Sequence, residues 1–290
     1  MSLWICLACG SEHPDTRRPP SGCAICLDDR QYVPREGQRW STPEDLEVGR
    51  SFRIDELEPD LFGIVVTPEV AIGQRTLLVR TPLGNVLWEP SAFISAEMVV
   101  AVEALGPVVA VTASHPHLAG AAVSWSHLLS AGQHGEVPVL WNAHDRRWVP
   151  RPDPAHVFWN DRHEVVPGVA LVRTGGHFPG SAVLHWAAGA GGRGVLLVGD
   201  TLMVGPGGQT VSFMRSYPNL LPLPERLVRG ILTALAPLAY DRVHGAFPGR
   251  VIEARAASVV ASSAERYLGW LNDDIRDPDE EVRDNTQQAG

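Results

Sequence analysis

The chain has 290 residues, 44% of them hydrophobic and 20% charged, with a net charge of −9. That is enough for one large domain and a small one, and too acidic for a general attraction to nucleic acid or anionic membrane. All 24 basic residues are arginine, so no lysine is present to cradle a phosphate, form a Schiff base or serve a serine–lysine hydrolase. Apolar runs are short and broken by Gly, Pro or Arg, which excludes a transmembrane helix. Met1-Ser2-Leu3-Trp4-Ile5-Cys6 lacks the basic-then-apolar pattern of a signal peptide. A cytoplasmic location with reduced thiols is therefore expected.

Residues 1–40 hold all four cysteines. Cys6-x-x-Cys9 and Cys23-x-x-Cys26 are two knuckles, each offering two thiolates to one side of an ion, and together they give a tetrahedral sulfur site that suits structural Zn2+. The loop between them is a little shorter than the commonest zinc-ribbon spacing. Gly10 supplies the tight backbone that a knuckle needs. Disulfides conflict with the expected compartment, and a redox dithiol needs one pair, not two. A closed four-thiolate site has no open position for chemistry. Glu12, Asp15, Asp28 and Asp29 offset Arg17, Arg18 and Arg30, so residues 1–40 read as a docking or stabilising module and not as a basic patch.

Residues 41–272 have the composition of an α/β domain. Thr42-Pro43-Glu44-Asp45-Leu46 reads as a capped helical turn. Strands are expected at 62–67, 76–81, 85–88, 108–112, 138–142, 169–173, 182–187, 194–198 and 242–244, with a hairpin at Pro82-Leu83-Gly84. Helical periodicity covers 91–104, 120–130, 225–236 and 253–271. The run Gly189–Gly194 lies between two strands and reads as a long hairpin turn, not a nucleotide loop. No repeat of fixed period is present. The acidic, polar segment 273–290 is expected to be disordered.

Four β-like runs each lead into a potential metal ligand. His115-Pro116-His117 follows the run 107–112, and in an extended segment these two alternate side chains point the same way. His177 follows 169–173, Asp200 follows 194–199, and His244 follows 240–243. Ligands at the ends of neighbouring strands meet at one sheet edge, where α/β proteins gather their sites. Each residue alone also has a plain structural explanation, as a hydrogen-bonded histidine or a Gly-Asp turn. His13, His127, His134, His144, His156, His163 and His185 carry no assigned role, and His144-Asp145 reads as a surface turn.

His115-Pro116-His117, Gly176-His177-Phe178-Pro179-Gly180, Gly199-Asp200-Thr201 and His244-Gly245 resemble, in order, the motifs of the metallo-β-lactamase-fold hydrolases. The resemblance spans roughly residues 50–250, and is strongest to bacterial members with an N-terminal pair of Cys-x-x-Cys knuckles. It implies a four-layer αββα sandwich with a metal site along the top edge of its two sheets, preceded here by the zinc-ribbon-like module. It also implies His115, His117, His177 and Asp200 as metal ligands. One departure limits it: where the family has His-x-His-x-Asp-His, this chain has Ala119 in place of the aspartate and Gly120 in place of the last histidine. The second metal thus keeps only Asp200 and His244, too few for a dinuclear centre.

Three neutral histidines still leave a zinc ion an open position, and its bound water reaches a pKa of about 7. Asp200 is then expected to hold or deprotonate that water, with His244 as acid or substrate contact, against a small ester, thioester or lactam-like molecule. Alternatively His115, His177 and Asp200 form the two-histidine, one-carboxylate set of a mononuclear Fe2+ oxygenase, and persulfide dioxygenases share the fold and these positions. A third reading is a binding scaffold with a decayed site. Arg215 and Tyr217, in the segment after Asp200, are candidates to orient substrate, with packing of the domain edge as their alternative. The partner expected is a small molecule, with no nucleic acid and no membrane. Nine tryptophans are compatible with a homo-oligomer.

Overall fold

In a computed structural model, which describes residues 2–133 and 135–280, short, nearly continuous apolar runs along the strands set the architecture. Strands β1 (Ser2–Cys6), β2 (Glu12–Thr16) and β3 (Trp40–Ser41) form a small antiparallel sheet ordered β2-β1-β3. Next come β4 (Ser51–Glu58), β5 (Leu61–Thr67), β6 (Thr76–Val79), β7 (Asn85–Trp88), β8 (Val108–Thr112), β9 (Val139–Asn142) and β10 (His156–Trp159). They build a seven-stranded sheet in reverse chain order, antiparallel from β4 to β7 and parallel from β7 to β10. A six-stranded sheet follows from β11 (Arg162–Val166), β12 (Val169–Arg173), β13 (Ala182–Trp186) and β14 (Val195–Leu197). After two short hairpins, β15 (Met203–Val204) with β16 (Val211–Ser212) and β17 (Met214–Ser216) with β18 (Leu221–Pro222), the sheet is completed by β19 (Arg242–His244) and β20 (Val251–Ile252).

Both faces of the two large sheets are apolar, so each sheet has to be covered twice. Leu77, Val79, Val86 and Trp88 of the first sheet pack face to face with Leu171, Leu184, Val195 and Leu197 of the second. The alternate residues Leu78 and Leu87 point away, onto Met98 and Val102 of helix Ala96–Glu103 and Trp125 and Leu129 of helix Ala122–Gln133. On the far side, Val172, Val183, Leu196 and Val243 meet Val228, Ile231 and Leu235 of helix Glu225–Leu235 and Val260, Ala264 and Leu268 of helix Ala256–Leu271. The layers run helix, sheet, sheet, helix, the αββα order expected. No helix among the described residues is long and apolar enough to cross a membrane.

Local rules set most boundaries. Thr42 accepts from the Asp45 N–H and starts helix Pro43–Glu47 as expected, and Ser95 accepts from the Met98 N–H, so the next helix begins at Ala96 and not near residue 91. Gly189–Gly194 joins antiparallel β13 and β14 as a turn. In the two large sheets β4, β10, β11 and β20 escaped the sequence reading, and all four are sheet edges, where solvent-facing positions and, in β20, a length of two residues hide the apolar pattern. The short strands β1–β3 and β15–β18 escaped it as well. Residues 273–280 are exposed throughout and contain one turn, Pro278–Glu280. His134 and the remainder of the tail expected to be disordered, 281–290, lie outside the described residues.

Two buried carboxylates tie these layers together. Glu12 of β2 accepts from the N–H groups of Val123 and Ser124 at the start of helix Ala122–Gln133, from Ser124 Oγ at 2.7 Å and from Arg151 at 2.7 Å, which is where a helix favours an anion. Glu58, at the end of β4, reaches across to the second sheet: it accepts from His244 Nε2 at 2.9 Å, from the Ala190 N–H at 2.9 Å and pairs with Arg242 at 3.0 Å. Burial opposes ionisation of Glu58, but these donors outweigh it and hold its carboxyl below the ordinary 4.5.

Glu12→Ala is expected to cost about 2–3 kcal/mol, since it strands Arg151 and two helix N–H groups, read by urea denaturation of the full chain. Because Glu58 is held below its unfolded value, its stabilisation is complete above about pH 4.5 and is lost as acid protonates the carboxylate. Glu58→Gln is therefore expected to lose about 1–3 kcal/mol at pH 7. That deficit should shrink in acid, and one that stayed constant with pH would contradict the assignment.

Candidate metal centre

The loops that follow β8, β12 and β14 bring His115, His117, His177 and Asp200 together. One ligand atom from each lies within 4.8 Å of the others, and all four residues are buried. His115 Nε2 and His177 Nε2 stand 3.5 and 3.7 Å from Asp200 Oδ2, and His177 Nε2 stands 3.4 Å from His117 Nδ1. His115 and His117 converge by a different route from the extended one expected. Pro116 opens a single 3-10 turn, Pro116–Leu118, that swings His117 round.

Two of the three rings are set by what their other nitrogen does. His177 Nδ1 donates to the Met214 carbonyl at 2.9 Å, so its Nε2 lone pair faces the centre. Ser114 Oγ donates to Glu89 Oε1 at 2.7 Å and so has only lone pairs left for His115 Nδ1 at 2.8 Å. His115 Nδ1 is thereby the donor, and its Nε2 is again the free base. Gly199 makes this relay fit: it has φ +51°, and a Cβ there would lie 2.0 Å from Ser114 Oγ. Burial, joined by the neighbouring His115, pushes His177 down to about 4 and His117 well below 6.5, so both rings are neutral. Burial also opposes a charge on Asp200, but the facing rings of His115 and His177 win and its carboxyl titrates below the ordinary range.

The donor set fits a metal ion. His115 Nε2, which faces the cluster, is buried with no hydrogen-bond partner, as are the outward atoms His117 Nε2 and Asp200 Oδ1, a costly arrangement for polar atoms in a protein interior. Tetrahedral zinc with bonds of about 2.0 Å places its ligand atoms about 3.3 Å apart, close to the 3.4–3.7 Å found. The four cysteines pass the same test. They are free and buried, with Cys6 and Cys26 Sγ 3.5 Å apart and Cys9 and Cys23 Sγ 3.7 Å apart, against about 3.8 Å for a tetrahedron of 2.3 Å bonds. Gln38 Nε2 donates to Cys6 Sγ at 3.0 Å.

Other sequence candidates fall elsewhere. His244 is not in the ligand cluster: its Nε2 is spent on Glu58 and its Nδ1 faces Arg75 at 3.5 Å, which makes it part of a tie between the two sheets. Arg215 points to the surface and pairs with Asp29 at 2.9 Å. Tyr217 does border the centre, its ring 5.8 Å from that of His177 and its hydroxyl 3.2 Å from the Asp200 carbonyl, within reach of the Ser212 carbonyl at 3.0 Å as well. Asp145 is no surface turn: it is buried, accepts from the Gly180 N–H at 2.8 Å, and burial lifts its carboxyl to about 6.

Sequence reasoning missed Glu89, Ser114, Arg30 and the ring of Phe178 as parts of the site. Ser114, adjacent to His115, and Phe178, adjacent to His177, carried a signal by position; Glu89 and Arg30 carried none. The departures at 119 and 120 have a physical basis. Gly120 has φ +47°, and a Cβ there would lie 1.9 Å from the Pro90 carbonyl oxygen. Its own carbonyl accepts from the Glu12 N–H of β2, and Ala119 packs in one cluster with the four cysteines. The N-terminal module thus packs directly against positions 119 and 120.

No family model matches the chain. It is 38% identical over 278 residues to the uncharacterized protein YmaE of Bacillus subtilis (strain 168), a match covering 95% of this chain and 99% of that one. Among solved structures it is similar to VMB-1, with a TM-score of 0.54 at 12% identity over 76% of this chain and 98% of that one. It is also similar to the DIM-1 metallo-β-lactamase, with a TM-score of 0.52 at 11% identity over 74% and 97%. At such identities the likeness is one of fold. The chain has the metallo-β-lactamase fold and belongs to the same family as YmaE.

Proposed function

We propose that the chain is a metal-dependent hydrolase with one zinc ion at the histidine centre and a second, structural zinc at the four cysteines. Its substrate is a small ester, thioester or lactam-like molecule. The observation that carries this reading is the convergence of His115, His117, His177 and Asp200 on one point, with buried base atoms that no protein group satisfies. Zinc held by neutral imidazoles supplies a Lewis acid and a bound water of pKa about 7.

The chain's own residues supply the remainder. Asp200 Oδ2 faces His115 and His177, while its Oδ1 is free to accept the proton that water gives up. Tyr217 fixes the peptide carrying that base through the Asp200 carbonyl. The Ser114–Glu89 relay and the Met214 carbonyl hold two rings in the ligating tautomer. Ala119 and Gly120 offer no donor for a second ion. Tyr217 and the Met214 carbonyl border the centre on one side.

A second reading has its own observation. His115 and His177 share one Asp200 oxygen, and two histidines with one carboxylate suit Fe2+ and oxygen chemistry. Metal analysis of the purified full chain separates the two: zinc with hydrolysis of ester or lactam panels, against iron with oxygen consumption. His117→Ala is expected to lose the ion and at least 100-fold in hydrolysis under the zinc reading. Retained iron and oxygen uptake in that variant would favour the triad. Ser114→Ala, which frees the His115 tautomer, is expected to weaken metal binding about 10–100-fold, measured by competition with a chromophoric chelator. Full affinity in that variant would remove the relay from the account.

A further inference from the structure

The second cysteine knuckle does more than close its own site. Directly after Cys26 the chain runs Leu27-Asp28-Asp29-Arg30, and this segment turns inward over the histidine centre. Arg30 is 4% exposed although its charge has one partner, Asp28, at 2.6 Å. Its Nε donates to the backbone carbonyl of His177 at 2.7 Å, the peptide of a predicted metal ligand. Its guanidinium lies 4.4 Å over the ring of Phe178. That ring in turn sits 5.6, 4.8 and 5.4 Å from the rings of His115, His117 and His177. One side chain therefore braces both the peptide of one ligand and the aromatic wedge that touches all three imidazoles.

The same segment also holds the loop that carries the Met214 carbonyl, the acceptor for His177 Nδ1. The Arg30 carbonyl accepts from Ser216 Oγ at 2.9 Å. Asn219 Nδ2 donates to the Asp29 and Gln31 carbonyls, each at 3.0 Å, and Asp29 pairs with Arg215. Arg30 is thus fixed at both ends, by Asp28 on the knuckle and by the loop of residues 214–219. Burial of a guanidinium in this way is expensive unless every donor has a use.

We propose that Arg30, carried by the second cysteine knuckle, is a positioning residue for the histidine centre, setting the placement of His177 and the Phe178 wedge. The proposal rests on the reading that His115, His117, His177 and Asp200 bind a metal ion. Its test uses the full chain, stripped of metal, given one equivalent of zinc and then titrated with cobalt(II). The absence of thiolate-to-cobalt charge-transfer bands certifies that the cysteines hold the zinc, and the d–d bands then report the histidine centre.

Wild type is expected to take up one cobalt. Arg30→Ala is expected to bind it 10–100-fold more weakly, the range for lost outer-shell contacts, and with shifted d–d bands. Arg30→Lys, which keeps the charge but not the planar face over Phe178, should recover only part of the affinity. Asp28→Ala, at the edge of the module, releases the guanidinium without removing it, and a smaller loss in the same direction is expected. Asp28→Ala decides the matter if Arg30→Ala fails to fold. Unchanged affinity and spectrum in the folded variants would overturn the proposal. A wild-type chain that takes up no cobalt would instead overturn the metal reading on which it rests.

Discussion

The structure depends on one expensive arrangement: three imidazoles and a carboxylate buried side by side, their lone pairs aimed inward. Neutral rings at His117 and His177 and an ionised aspartate are the states that burial and mutual contact select, and they are also the states in which these groups bind a metal. Unsatisfied bases in a protein interior cost a few kcal/mol each, so the layers around them have to be held firmly. The Glu58 tie between the sheets, the Ser114–Glu89 relay and the Arg30 brace are all ways of holding them. Each places a buried polar or charged group in hydrogen-bond contact with a ligand or with the residues that hold a ligand-bearing loop.

The N-terminal module belongs to that same arrangement. Ile5 lies in the helix-facing core of the first sheet, Glu12 caps a helix of the large domain, and the four cysteines share a cluster with Ala119 and Phe178. In a dinuclear relative of this fold, the side of the site near 119 and 120 would hold ligands. Here the turn leaves no room for a Cβ at Gly120, and Ala119 packs in one cluster with the four cysteines. Packing accounts for the glycine at 120, and a single ion is what the proposed function assigns to the residues that remain.

The layered fold was legible because its central strands are near-continuous apolar runs, as strands buried on both faces must be. The first ligand set was legible because each member follows such a strand. Edge strands were not, since their charged faces break the period, and neither was the turn that redirects His117, because Pro116 leaves an extended path and a 3-10 path equally open. His244 matched its motif in order and context, yet its use is decided by Glu58, which lies 186 positions away. Arg215 was read toward the pocket and instead faces Asp29. Long-range polar partners of this kind leave no local trace, and for that reason Glu89 and Arg30 were also invisible before the fold was known.

The central claim is that a metal ion sits among His115, His117, His177 and Asp200 in addition to one among the four cysteines. X-ray absorption at the edges of the metals carried by the purified full chain tests it most directly. The account predicts two environments: a sulfur shell near about 2.3 Å for one ion, and a nitrogen and oxygen shell near about 2.0 Å, with the outer scattering of imidazole, for the other. A sulfur shell alone, with one ion per chain, would contradict it.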